Sequence, residues 1–292
     1  MHLYGSYIAL ITPFVPDSLK IDEKKLRELV NWQIEAGTDG IVAVGTTGES
    51  ATLSKTEHRS VLDIVVDEAK GRTAIIAGAG SNSTHEAVRL TEYAKNKGAD
   101  AVLSISPYYN KPTQDGFIAH YSKIADVGVP LILYNVPSRT GRNIEAATTL
   151  ELAKLPNIIG IKEASGDLKQ IQEICEQKPQ DFAVISGEDA QTLEIIKMGG
   201  AGGIGVIPNE VPAEIYKMIH LALEGNFAEA NKIYTKFAEL MELNFVDNNP
   251  IDVKWALSEM GKIDYAVRLP LTEPSEKNKQ KIQNEIAKLK LA

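Results

Sequence analysis

The stretch LILYNVPSRTGRNIEAATTLELAKLPNIIGIK, residues 131–162, contains two short apolar runs, Leu131–Tyr134 and Ile158–Lys162, that begin about 27 residues apart. Each run is of strand length and apolar at successive positions, as strands covered on both faces of a parallel sheet are. The same unit recurs outward in both directions. Upstream, Tyr7–Ile11, Gly40–Val44, Ala74–Ala77 and Ala101–Ile105 read as strands; downstream, Ala183–Ser186 and Ala201–Val206 do. Amphipathic segments with recognisable ends lie between them. One runs from Asp22 through Leu26, Leu29, Val30 and Ile34 to Gly37. The next opens with Ser54 and Glu57 at capping-box spacing and stops at Gly71; a third opens with Ser83 and Glu86 at the same spacing and stops at Gly98. Eight strand–helix units over about 220 residues predict an α/β protein of the (β/α)₈ TIM-barrel class rather than an open sheet. From about Gly225 only helix signals remain, broken at Asn248, Asn249 and Pro250, with a charged amphipathic helix after Pro274. The expected organisation is a catalytic barrel over 1–224 and a C-terminal helical extension over 225–292 packed on it.

The totals agree with a large soluble enzyme. A length of 292 residues exceeds the roughly 250 that a barrel needs. A formal charge of −8 leaves no global basic surface, so neither nucleic acid nor an anionic membrane is an expected partner. The start, MHLYGSYIALITPF, lacks a basic n-region and a long apolar stretch, and no apolar run approaches a membrane span. With Cys175 as the sole cysteine, no internal disulfide can form, and a cytoplasmic location is expected. The five histidines are scattered, with no pair at helical ligand spacing, which disfavours a metal-dependent mechanism. Gly200–Gly205 matches a dinucleotide fingerprint but overlaps a predicted strand, and Gly78-Ala79-Gly80 has Ser83 where the third glycine belongs.

In a barrel of this kind the active site forms at the C-terminal ends of the strands. Those ends carry Thr46 and Thr47, Tyr108 and Tyr109, Tyr134, Lys162 and Gly187. A lysine ending an apolar strand is desolvated, which disfavours its ammonium and yields an amine able to attack a carbonyl. The competing readings of Lys162 are an ion pair with Glu163 or an inner carboxylate, and a simple cation for a substrate anion. Tyr134, one strand earlier at the same height, could shuttle the protons that Schiff-base chemistry requires, or could fill the rim of the core. Gly45-Thr46-Thr47-Gly48-Glu49 offers hydroxyls and backbone N–H groups to a carboxylate, or is an ordinary turn with Glu49 bonded to its own loop. Arg139 has the planar fork that captures a carboxylate, or is a solvated arginine in a surface turn.

GTTGE at 45–49, PYYN at 107–110, YNVPSRTG at 134–141, IKEASGD at 161–167, ISGED at 185–189 and NPIDVKWAL at 249–257 together resemble the dihydrodipicolinate synthase family. This is a branch of the pyruvate-dependent class I aldolases, which include N-acetylneuraminate lyase. The resemblance covers nearly the whole chain and implies that Lys162 forms a Schiff base with pyruvate. Thr46 and Thr47 would hold the pyruvate carboxylate, with backbone near Gly187 and Ile204. Tyr134 would shuttle protons, relayed through Thr46 to a Tyr109 contributed across a subunit interface, and Arg139 would bind aspartate semialdehyde. It also implies a homotetramer built as a dimer of dimers, no metal or organic cofactor, and a feedback site for L-lysine. Matching positions for that site are Ser50, Ala51, His58, Asn82, Glu86 and Tyr108, while Lys55 departs from the histidine that inhibited relatives often carry.

Three rivals have distinguishing features. A sugar-acid aldolase would share Lys162 and Tyr134 but differ in the acceptor pocket, where Thr47 and Arg139 favour the semialdehyde. A non-catalytic binding barrel would have lost Lys162, Tyr134 or Thr46. A phosphate-binding isomerase would use the Gly-rich stretch 199–205 as a phosphate cup.

Overall fold

The computed structural model describes residues 1–292. Eight strands alternate with helices: β1 (Gly5–Ala9), α1 (Glu23–Glu35), β2 (Gly40–Ala43), α2 (Lys55–Ala69), β3 (Ala74–Gly78), α3 (Thr84–Lys97), β4 (Ala101–Ile105) and α4 (Gln114–Ala125) form the first half. The second half is β5 (Leu131–Asn135), the short α5 (Pro137–Thr140), α6 (Ala146–Leu152), β6 (Ile158–Glu163), α7 (Leu168–Gln177), β7 (Ala183–Ser186), α8 (Thr192–Lys197), β8 (Gly202–Gly205) and α9 (Pro212–Leu223). The strands are parallel and close in order, β8 pairing with β1. Three further helices follow, α10 (Phe227–Leu243), α11 (Ile251–Glu259) and α12 (Glu276–Leu289).

Two apolar layers follow from strand alternation. Tyr7, Ala9, Val42, Ile76, Leu103, Ile132, Ile185 and Ile204 fill the barrel, while Ile8, Ile41, Ile75, Val102, Leu133, Ile161 and Val184 face the helices. Residues of α10 and α12 share a third apolar cluster with α8 and α9, among them Phe237, Leu240, Ile282, Ile215 and Met218.

Several boundaries differ from the sequence reading. β1 starts at Gly5 because Gly5 and Ser6 pair with Gly202 and Gly203, and it ends before Ile11, whose N–H goes to Asn209 Oδ1. β8 ends at Gly205 because Asp189 Oδ2 takes the N–H groups of Val206 and Ile207. The capping box opening α2 forms as expected, with Ser54 and Glu57 bonded reciprocally. The one expected at α3 does not: the Ser83 side chain caps nothing and Glu86 turns to Lys55, 3.1 Å away. The Ser83 N–H is already taken by Ser81 Oγ, so spacing alone could not produce the box.

Candidate active site

Parity along β5 and β6 directs the key side chains into the barrel. Ile132 and Tyr134 lie in the inner layer, and because Ile161 faces the helices, Lys162 points inward. Leu131 pairs with Ile158 but Ile132 pairs with Gly160, so Ile159 is an extra residue in the ladder. Without that bulge Tyr134 would lie opposite Ile161. With it, Tyr134 and Lys162 are register partners, and Lys162 Nζ sits 4.6 Å from the Tyr134 ring centroid.

Lys162 is 6% exposed. Burial lowers its pKa from 10.5 to about 8, against the opposing pull of Asp189 and Glu188 and with the help of Arg139. At pH 7 that leaves about one amine in ten uncharged, against roughly one in three thousand for a solvated lysine. The Tyr134 phenol is pushed upward by burial and partly restored by Arg139 and the Thr46 hydroxyl, so it is protonated at neutral pH. The pair therefore brings together a neutral-amine source and a proton donor. An ion pair of Lys162 with Glu163 is ruled out: Glu163 points to the other face of β6. There its carboxylate accepts from Asn135 Nδ2 at 2.5 Å and from Ser165 Oγ, and burial raises its pKa to about 7.

Gly187 closes the pocket beside the lysine stem. A Cβ there would come within 2.8 Å of Lys162 Cε and 2.9 Å of Ala164 Cβ, so only glycine leaves the amine free. Behind it, Asp189 is buried against Gly205, where a Cβ would stand 2.1 Å from Asp189 Oδ1. Ile204 is fully buried in the inner layer on the same side.

The loop after β2 supplies the hydroxyls. Val44 and Glu49, at φ 53° and 54°, bracket it in the left-handed region, which costs on the order of 1–3 kcal/mol per non-glycine residue. Thr47 is buried and its Oγ1 accepts from Asn249 Nδ2 at 2.9 Å; Thr46 is partly open to solvent. The Glu49 carboxylate does not bond its own loop. It takes the Lys254 ammonium at 2.5 Å and the Arg268 N–H at 3.1 Å. Arg139 is exposed, and its Nη2 donates to Asn248 Oδ1 and to the Asn249 carbonyl at 3.2 and 3.4 Å.

Tyr109 stands apart from this group, 90% exposed at φ 71°, with Tyr108 beside it 40% exposed. The remaining residues expected to bind an effector cluster between α2 and α3: Lys55 pairs with Glu86, His58 Nε2 meets the Gly78 carbonyl at 3.0 Å, and the Asn82 carbonyl accepts from Asn110. Ser50 and Ala51 follow the β2 loop directly. Reading the sequence for strand ends missed Glu188, Asp189, Asn249 and Lys254 as individual contributors. Only the motifs ISGED and NPIDVKWAL carried a signal for them.

Residues 2–289 match the model of the dihydrodipicolinate synthetase family. The chain is 50% identical over 282 residues to the 4-hydroxy-tetrahydrodipicolinate synthase of Cellvibrio japonicus, covering 96% of this chain and 97% of that protein. It superposes with TM-score 0.97 on the chloride-inhibited dihydrodipicolinate synthase of Acinetobacter baumannii, solved with pyruvate, at 43% identity over 99% of this chain and 100% of the other. With the enzyme of Cyanidioschyzon merolae, solved with lysine bound, the TM-score is 0.96 at 39% identity, and both chains are covered in full. The barrel, its inward lysine and a match running almost from end to end make one case: the chain belongs to the dihydrodipicolinate synthetase family.

Proposed function

We propose that this chain condenses pyruvate with aspartate semialdehyde to 4-hydroxy-tetrahydrodipicolinate, and that the residues gathered around Lys162 divide the work as follows. The neutral Lys162 amine adds to the pyruvate carbonyl, and loss of water gives the Schiff base. Removal of a methyl proton gives the enamine, whose carbon bonds to the aldehyde. The acceptor's own amine then displaces Lys162 to close the ring. Tyr134 carries protons in the addition and dehydration steps, with the Thr46 hydroxyl next to it as relay. Thr46 and Thr47, with backbone at Gly187 and Ile204, receive the pyruvate carboxylate, and Arg139 selects an aldehyde bearing a carboxylate. The observation that carries this reading is the register pair Tyr134–Lys162, a desolvated amine 4.6 Å from a phenol ring.

The test is borohydride reduction in the presence of pyruvate, alongside consumption of pyruvate with aspartate semialdehyde. Mass should be added at Lys162, and Lys162→Ala should abolish both signals. An adduct without consumption of the semialdehyde moves the acceptor to a sugar acid, and no adduct rejects the aldolase reading.

Tyr109 would complete the relay in a neighbouring subunit of a homotetramer; its exposure and left-handed backbone support a role that one chain does not fulfil alone. L-Lysine would bind between α2 and α3. The Lys55 ammonium already pairs with Glu86, so an effector amine must displace it, which lowers the affinity for the effector. No helix is long and apolar enough to cross a membrane.

A further inference from the structure

The segment that leads into α11, and α11 itself, meet the β2 loop from outside the barrel. Asn249 donates to Thr47, and Lys254, with no exposed side-chain surface, bonds Glu49 and the Ala266 carbonyl while lying 4.2 Å from the Phe14 ring centroid. None of these contacts takes part in the chemistry at Lys162. A buried ion pair is a weak means of stabilising a fold, because desolvating both charges offsets their attraction. What it supplies is direction. Val44 and Glu49 hold strained backbone on either side of the threonines, and strain of that kind persists only where the surroundings dictate it. An ammonium bonded to the Glu49 carboxylate dictates it from one end of the loop. The Asn249 amide acts in the middle: by donating to Thr47 Oγ1 it leaves the hydroxyl proton free to be given to an anion.

We propose that Lys254 and Asn249 are positioning residues of the carboxylate cradle, so that the trailing helices set where the Thr46 and Thr47 hydroxyls stand and thereby how tightly pyruvate is held. This rests on the reading of Lys162 and the two threonines given above.

The experiment is the double variant Glu49→Gln/Lys254→Met, which removes both charges together and leaves neither buried alone. Melting temperature, kcat, KM for pyruvate and the pyruvate concentration giving half-maximal borohydride trapping at Lys162 are measured on the full chain. The expected result is a folded protein whose half-saturation and KM rise about tenfold, equivalent to about 1.4 kcal/mol, while kcat at saturation falls less than threefold. A folded variant with unchanged half-saturation overturns the proposal, as does a joint fall in melting temperature and kcat with half-saturation unmoved. If the double variant does not fold, Asn249→Ala decides by the same measurement, a threefold or larger rise supporting the proposal and the wild-type value overturning it. Failure of trapping in the unmodified protein would strike at the Schiff-base reading instead, which keeps the two distinguishable.

Discussion

A lysine inside an apolar barrel is a poor ammonium, and the consequence can be read as a pH profile. The pKa of Lys162 is lowered to about 8, so its neutral fraction rises about tenfold per pH unit below that value and levels above it. The rate of pyruvate trapping at low pyruvate should follow the same curve, rising from pH 6 to 8 and flattening by 9. A rate still climbing steeply at pH 10 would mean an unshifted lysine. Replacing Tyr134 should not move this inflection strongly, since burial, not the phenol, is the leading cause. At this scale much of the site was legible. Lys162 and Tyr134 stand at the ends of apolar runs, where a polar residue calls for an explanation. Asp189 and Lys254 were not legible as contributors, because their roles depend on what packs over them: backbone N–H groups of residues 206 and 207 for one, Glu49 for the other.

Between elements, the link that matters most is the bulge at Ile159, which slides β6 by one residue against β5 and brings the lysine level with the tyrosine. No feature of the run IIGIK marks it, since Ile159 is as apolar as its neighbours, and register is decided by cross-strand packing. Strand and helix order was legible because each apolar run is bounded by turn residues. Caps were legible only in part, as the formed box at Ser54 and the unformed one at Ser83 have the same spacing. The bond from Lys55 on α2 to Glu86 on α3 also belongs to this scale, and it bears on feedback. With Lys55 71% and Glu86 32% exposed, the pair contributes at most about 1 kcal/mol, roughly fivefold in affinity for a competing amine. Lys55→Ala should therefore lower the half-inhibitory concentration of L-lysine two- to fivefold, measured at subsaturating pyruvate. An unchanged value would place the effector elsewhere or remove it.

For the whole molecule, the division between what one chain contains and what the proposed tetramer would add is testable by dilution. The amine, the phenol and the threonine loop all come from a single chain, whereas Tyr109 projects away from it. Diluting the protein below the concentration at which sedimentation shows dissociation should lower turnover per chain while leaving pyruvate trapping at Lys162 intact. Constant turnover in isolated chains would remove Tyr109 from the relay. The circumference of the barrel carries a last consequence. Seven of the eight seams are ladders of three to five register pairs. The seam between β7 and β8 is different: it has one register pair, Ser186 with Gly203, and is tied across its top by the Asp189 carboxylate seated against Gly205. Heredity can edit that joint one codon at a time. The wall of the pocket beneath it, at Gly187 and Ile204, thus depends on two side-chain choices, an aspartate at 189 and the absence of a side chain at 205, whereas the tyrosine and lysine across the barrel are held in step by a seam of five register pairs.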